Sequence, residues 1–418
     1  MQNGPVINWK KNLFITWIGQ ILALGGHSAI MPFIPLFIQD KYHITDEKEL
    51  GIWVSVMTFF GLCSFCFSNT LWGVLADKYG RKLMLLRSYY VAALLFPLMY
   101  FSPTVSALVG MRFLASCFSG SVTASQTLII TTTPKEHHGF ALGTLSTAVW
   151  SGSMLGFLFG ALFVNAFGYF WGFMSCGALY LVGGILTHLF VREDFTAPVK
   201  TEKVKSSFWK EMRNTNTGVW LLMILFLVMG MARRMDEPYI PILVKQLCDP
   251  GKAVYYTGII SFIAALGGLF SGIIFGKLCD RYSPGLIAIP AILISAVTMA
   301  LQALAGTLLF LGSVRFLHFT MTGGLEPAFQ AILAKIVPNE KRGTLLGIAS
   351  SLRVFGIMLS SVLCGGLICL TDGIRIIFMG AAILFLILLG LVLKTLQTLK
   401  QTEQQINNNS NTIQGERL

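Results

Sequence analysis

Charge is scarce in this sequence. Asp, Glu, Lys and Arg make up 12% of the 418 residues, against about 25% in an ordinary water-soluble domain. Histidine is rarer still, with six residues. There is no P-loop, no HExxH, no nucleophile elbow and no His/Cys set at metal-ligand spacing, which argues against ATP-driven, metalloprotease and hydrolase chemistry. No enzyme activity, metal or cofactor is expected. All but Cys248 and Cys279 of the eight cysteines fall in apolar runs, so a disulfide framework is not expected either. Cys63 and Cys66 form a CxxC inside such a run, where small packing residues are the better reading than a redox pair.

What fills the chain instead is apolar: 54% of residues are hydrophobic, and mean hydropathy is +0.69. Apolar stretches of roughly 20 residues, enough to cross a bilayer core, recur at 13–38, 50–74, 83–101, 105–132, 139–164, 169–190, 219–244, 255–275, 286–305, 307–333, 343–370 and 374–393. The first is too long for a signal peptide and has no small-residue cleavage site. These features predict an all-α polytopic membrane protein with about twelve transmembrane helices, whose partner on the outside is the lipid bilayer. Residues 191–218 form a charged linker between six spans and six, and the polar tail 395–418, with its "NNNSN", is expected to be disordered.

A net charge of +12 could suggest nucleic acid, but its distribution points elsewhere. One set of loops carries only Lys41, Lys48, Lys245, Lys252 and Arg375, and five arginines lie inside spans. The remaining basic residues all fall on the side of the two termini. The positive-inside rule then places both termini in the cytoplasm.

The halves repeat one another. "PFIPLFI" at 32–38 returns as "PYIPILV" at 238–244, and "GVLADKY" at 73–79 returns as "GKLCDRY" at 276–282. "RFL" at 112–114 returns at 315–317, and Pro134, Glu136, Gly139 and Gly143 return as Pro338, Glu340, Gly343 and Gly347. Six spans precede each second copy, so the halves share one orientation: 1–190 and 219–394 are parallel six-helix bundles about an axis along the membrane normal.

The stretch "GVLADKYGRK" resembles the loop motif of the major facilitator superfamily, through Gly73, Leu75, Asp77, Gly80, Arg81 and Lys82. Asp280 and Arg281 belong to its weaker second copy. "GGHSAIMPFIP" at 25–35 is similar to the first-helix motif of twelve-helix drug:proton antiporters, and Gly143, Gly152, Gly156 and Gly160 match their fifth-helix motif. Phe157 and Ala161 replace a proline and a glycine of that pattern. "INWKKNL", "WGVLADKYGRKLMLLRS" and "ALGTLST" look like MdtG-type bacterial multidrug-resistance exporters. The resemblance implies the major facilitator fold, alternating access, efflux of small molecules in exchange for protons, and a monomer in the bacterial inner membrane. It further implies that Asp77 clamps the halves together against the start of the eleventh helix, after Lys341 and Arg342, where helix N-termini and cations favour a carboxylate. The bland reading of that loop is obedience to the positive-inside rule alone.

Ionisable residues inside spans are costly and mark ion or substrate paths by default. Glu326 is the only carboxylate well inside a predicted span and is the leading proton-coupling candidate. The competing reading is a structural salt bridge to Arg353 or Arg315. Arg233, Arg234, Asp236 and Glu237 form "RRMDEP" in the seventh span, with the two acids towards the outer mouth. Arg233 and Glu237 are four apart and suited to pair on one helix turn. That cluster reads equally as a neutralised structural cluster or outer gate, and as a polar substrate site or second proton site. His27 is a further proton-coupling candidate, while Arg112, Arg315, His318 and Arg353 join Arg233 and Arg234 as candidates for a substrate cavity. So many arginines also leave open transport of one specific polar metabolite or a siderophore-like chelator. A membrane sensor without transport is a third reading, disfavoured by the intact loop motif.

Overall fold

The computed structural model describes residues 8–195, 217–337, 339–371 and 373–415. Among them every regular element is helical. Eleven helical stretches are long and apolar enough to cross a membrane, and one of them, Lys135–Phe190, has 56 residues. At ~1.5 Å per residue that stretch far exceeds a ~30 Å bilayer core. It turns back on itself at Gly168, whose φ of 82° and ψ of 173° leave the helical region. The two arms prove antiparallel by their contacts with the first helix. Gly152, Gly156 and Gly160 meet Ile21, Gly25 and Ala29 in ascending order, whereas Gly172, Cys176 and Gly183 meet Ile30, Gly26 and Gly19 in descending order. Twelve crossings result, and the chain is a multi-pass membrane protein.

We number the crossings α1 (Trp9–Tyr42), α2 (Glu47–Tyr79), α3 (Arg81–Tyr100), α4 (Val105–Thr132), α5 (138–167), α6 (169–190), α7 (Gly218–Leu247), α8 (Ala253–Arg281), α9 (Pro284–Ala303), α10 (Leu308–Leu333), α11 (Asn339–Leu370) and α12 (Arg375–Gly415). The face where α1 begins is called the terminal face, and the opposite one the far face. Large apolar side chains such as Phe14, Leu94, Phe159 and Leu286 stand exposed around the bundle, as a protein solvated by lipid requires.

Backbone devices repeat between the halves. Both α1 and α7 are interrupted by one 3-10 turn, Met31–Phe33 and Glu237–Tyr239, each entered through a proline that removes a helix donor. Thr104 and Thr307 each cap the helix that follows, accepting from Ala107 N at 3.2 Å and Phe310 N at 3.3 Å. Within each half two helices pack along the other half, and the first helix reaches it through its far end. α2 packs on α11 and α5 on α8, while α4 and the rest of α1, and likewise α10 and the rest of α7, lie behind.

Two expectations change at the helix ends. "GVLADKY" is the last turns of α2 rather than a loop, because its residues all continue a helix; Gly80, at φ 96°, is the whole connection to α3. Of the tail expected to be irregular, residues 395–415 are helical. α12 runs on to Gly415, since the Lys, Leu, Gln and Glu of 394–405 are strong helix formers. Its first turn past Lys394 is packed, with Thr395 buried and Leu396 lying against Gly285.

Candidate functional site

The halves meet towards the far face. Tyr239 Oη and Ser55 Oγ share a hydrogen bond of 2.5 Å. Lys245 pairs with Asp40 at 3.2 Å. Gln246 donates to Glu47 at 2.7 Å, and the same carboxylate accepts from Ile374 N at 3.0 Å. Along α5 and α8 the contact reaches mid-membrane, where the Trp150 ring lies against Gly268. Nearer the terminal face the halves part. A carbon added at Gly73, Gly143, Gly272 or Gly347 would meet nothing within 4 Å outside its own helix.

Behind that space the second half holds two ion clusters. In the deeper one Arg315 of α10 donates to Asp236 of α7 and, at 3.0 Å, to the Gln302 amide oxygen of α9. Asp236 and Arg315 are both fully buried, so Asp236 lies in the bundle rather than at the outer mouth. The 3-10 turn after it swings its carboxylate towards α10. Glu326 is therefore not the only carboxylate deep in a span. His318, one helix turn on from Arg315, is also buried, with Nδ1 3.0 Å from Thr298 Oγ1.

The shallower cluster centres on Glu326. Arg233 Nη1 of α7 lies 3.2 Å from its Oε2, and Arg353 Nε of α11 lies 3.1 Å from its Oε1. The second is an ion contact without hydrogen-bond geometry. The close approach of α7 and α11 brings the two arginines together: Gly230 lies on the Arg353 backbone, and Gly356 on Leu227. All three charged side chains keep 14–26% exposure. Glu326 thus takes Arg353 and Arg233 as partners rather than Arg315. Arg233 consequently does not pair with Glu237; Arg234 does, at 2.5 Å, because the helix ends at Arg234 and the 3-10 turn brings residue i+3 back.

The first half offers no counterpart. Arg112 rests against Gly61 of α2 and faces His27, Tyr180 and Cys176, and no ion pair to it occurs among the described residues. His27 stacks edgewise on Phe96, with centroids 5.9 Å apart. Asp77 is bound by its own neighbour Arg81 at 3.2 Å, and Gly73 is open. The side chains of Lys341, Arg342, Gly343 and Asp280 lie outside the described residues, and Arg281 is exposed. Gly73, Asp77, Arg81 and Arg87 line a cavity of about 170 Å³ between α2, α3 and α4. Gly152, Gly156 and Gly160 seat α5 on α1, whereas Gly143 faces open space.

Sequence reasoning missed several participants. Glu193 accepts from the backbone of Arg81 at 3.0 Å and Lys82 at 2.7 Å, capping α3 where Gly80 supplies no side chain. Gln302 and the far-face residues Asp40, Glu47 and Gln246 were missed as well. A signal existed for the last: Asp40 and Gln246 are repeat mates, and residues near the axis relating two halves come face to face.

The chain is similar to known proteins in sequence and in fold. The family model "Major Facilitator Superfamily" matches residues 16–321 and 256–412. A Lactococcus lactis relative, "Multi-drug resistance efflux pump PmrA homolog", is 32% identical over 81% of this chain and 84% of its own. "Multidrug resistance protein MdtG" of a Rahnella species is 30% identical over 91% and 92%. The solved nucleoside transporter NupG superposes with a TM-score of 0.78 at 12% identity, covering 93% of this chain and 99% of its own. The D-xylose-proton symporter gives 0.68 at 15% identity over 93% and 97%. This chain belongs to the Major Facilitator Superfamily and is a transporter of that fold, not an enzyme.

Proposed function

We propose that this transporter exports small amphipathic or drug-like molecules in exchange for protons, by alternating access, from a bacterial cytoplasm that its terminal face meets. The single observation that carries the proton coupling is the placement of Glu326, a partly accessible carboxylate held by guanidiniums of two other helices beside the space between the halves. An acid so placed can exchange a proton with water and re-form its ion pairs as the helices move. The names of the multidrug-resistance relatives support efflux of drug-like cargo, and the basic residues gathered at the terminal face support its cytoplasmic placement. On that reading the far-face contacts close the outer side, and the space between the halves opens inward. Closing the terminal face would bring α11 onto Gly73 and Asp77.

The test is reconstitution of the full chain in lipid vesicles with an acidic lumen. Fluorescent amphipathic aromatics should accumulate inside, the lumen should lose protons as they do, and collapsing the gradient with nigericin should stop both. Movement indifferent to the gradient would reject coupling. A second reading, transport of one specific polar metabolite, draws on Arg233 and Arg353; saturable uptake of a single compound from a mixed panel would favour it.

A further inference from the structure

The Arg233–Glu326–Arg353 cluster restricts which cargo can enter without leaving a charge stranded. α8 and α11 touch the first half, and α7 reaches it only through its far end, beyond the 3-10 turn. The ion cluster joining α7, α10 and α11 lies short of that far end and keeps part of each charged side chain accessible. Glu326 faces Arg233 and, further off, Arg234 from α7, together with Arg353 from α11. Neighbouring α9 carries no ionisable residue, and Arg315 and His318 of α10 turn into the bundle towards Asp236 and Thr298.

Separating one member of a part-buried ion pair leaves its partner uncompensated, which is strongly unfavourable. A purely cationic cargo could take Glu326 only by stranding two guanidiniums beside itself. An anionic cargo could engage both arginines only by stranding Glu326, and one of them only by drawing it away from that carboxylate. A molecule with both signs can replace the ion pair group for group: its anion on Arg233 and Arg353, its cation on Glu326.

We propose that the Arg233–Glu326–Arg353 cluster is the recognition site for zwitterionic amphipathic cargo, which inserts between Glu326 and the two arginines. The apolar body of the cargo would lie towards Trp150, which remains 39% exposed across the space. This inference rests on the export reading and supplies its linkage. A proton on Glu326 removes the partner of the cargo's cation, so proton and zwitterion compete for one carboxylate, as exchange requires.

The test uses four probes built on one body. These are 1-naphthylalanine (zwitterion), its amide (cation), its N-acetyl derivative (anion) and its N-acetyl amide (neutral). Their binding to the purified full-length wild-type protein in lipid nanodiscs is compared first, which needs no variant. The zwitterion should bind roughly tenfold or more tightly than each of the others, more weakly as pH falls, and with proton release. In Glu326→Gln, checked for an unchanged elution profile, the zwitterion and the anion should become equal. In Arg353→Gln the zwitterion's advantage over the cation should shrink, with Arg233 left as its one anion partner. Tightest binding of the anion with proton uptake, tightest binding of the cation, or no preference among the four overturns the proposal, as does failure of the zwitterion to bind. The export reading is judged separately in vesicles. If the zwitterion is preferred but ignores a pH gradient, that reading falls and the cargo class stands. If the gradient drives only the cation or the neutral probe, the cargo class falls and the reading stands.

Discussion

The two halves share their backbone devices and differ in what they bury. In the first half the buried polar groups are mostly hydroxyls and amides. Gln20 of α1 donates to Tyr89 at 2.9 Å and to Ser121 O at 3.0 Å, and Arg112 has no ion-pair partner among the described residues. In the second half the corresponding space holds ions: Asp236 with Arg315, and Glu326 with Arg233 and Arg353. Arg112 and Arg315 are repeat mates, so the contrast lies in the acids that only one half acquired. Close glycine contacts occur in both halves, so they do not set the two apart. A bundle whose helices are tied by ions can be retied by a proton. On the proposed proton-coupled reading, the first half would serve as the frame and the second as the switch.

The sharpest way to break this contrast is to remove the mate arginines in turn. Arg315→Met leaves Asp236 buried and alone, which should cost about 3–5 kcal/mol and lower the melting temperature of the solubilised protein severely. Arg112→Met strands no acid and should cost on the order of 1 kcal/mol. Replacing both members, as Asp236→Leu with Arg315→Met, should recover most of the loss. Equal losses at the two arginines would end the comparison.

Packing gives the next largest effect. Gly160 lies so close to Ala29 that any side chain meets the α1 backbone, whereas Gly143 has open space around it. Gly160→Leu should cost at least the ~1–3 kcal/mol of ordinary overpacking, and Gly143→Leu almost nothing in stability. The same melting experiment decides. If both tolerate leucine, α5 does not seat on α1 through that face.

How much of this was legible beforehand divides along a physical line. Apolar length marks spans, and the repeated "PFIP" and "PYIP" mark equivalent helix breaks, because hydropathy and proline act locally. Pairings do not act locally. Asp236 and Arg315 are 79 residues apart, and their meeting depends on how the 3-10 turn rotates one carboxylate. The expected Arg233–Glu237 pair fails for the same reason: an uninterrupted helix was assumed where the chain changes pitch. The one-residue connection at Gly80 escaped notice because a charged run looks like a loop whether or not it is helical.

Glu326→Gln tests the switch with less cost to the fold, since the group keeps 24% exposure and an amide fills the same volume. Proton-driven accumulation should disappear while downhill exchange of the same fluorophore survives. Full proton-driven transport by this variant would move coupling to Asp236, Glu237 or His27.

The smallest expected effect lies where the halves touch. Asp40 is about half exposed in its pair with Lys245, and such pairs contribute roughly 0–1 kcal/mol. Asp40→Asn should therefore leave melting unchanged, yet shift the balance between closed and open far faces by up to about fivefold, the equivalent of that energy. A cysteine replacing Ser55, behind the seal, would report it through faster reaction with a membrane-impermeant maleimide applied from the far side. Raised salt should imitate the substitution in the otherwise wild-type protein, because exposed pairs are screened. The Gln246–Glu47 bond, having no charge on one partner, should be far less sensitive to salt, so Gln246→Ala should keep the wild-type salt response, which runs through Asp40–Lys245, whereas Asp40→Asn should lose it. Opening that follows salt in both variants alike would mean that the Asp40–Lys245 pair is not the contact that salt weakens.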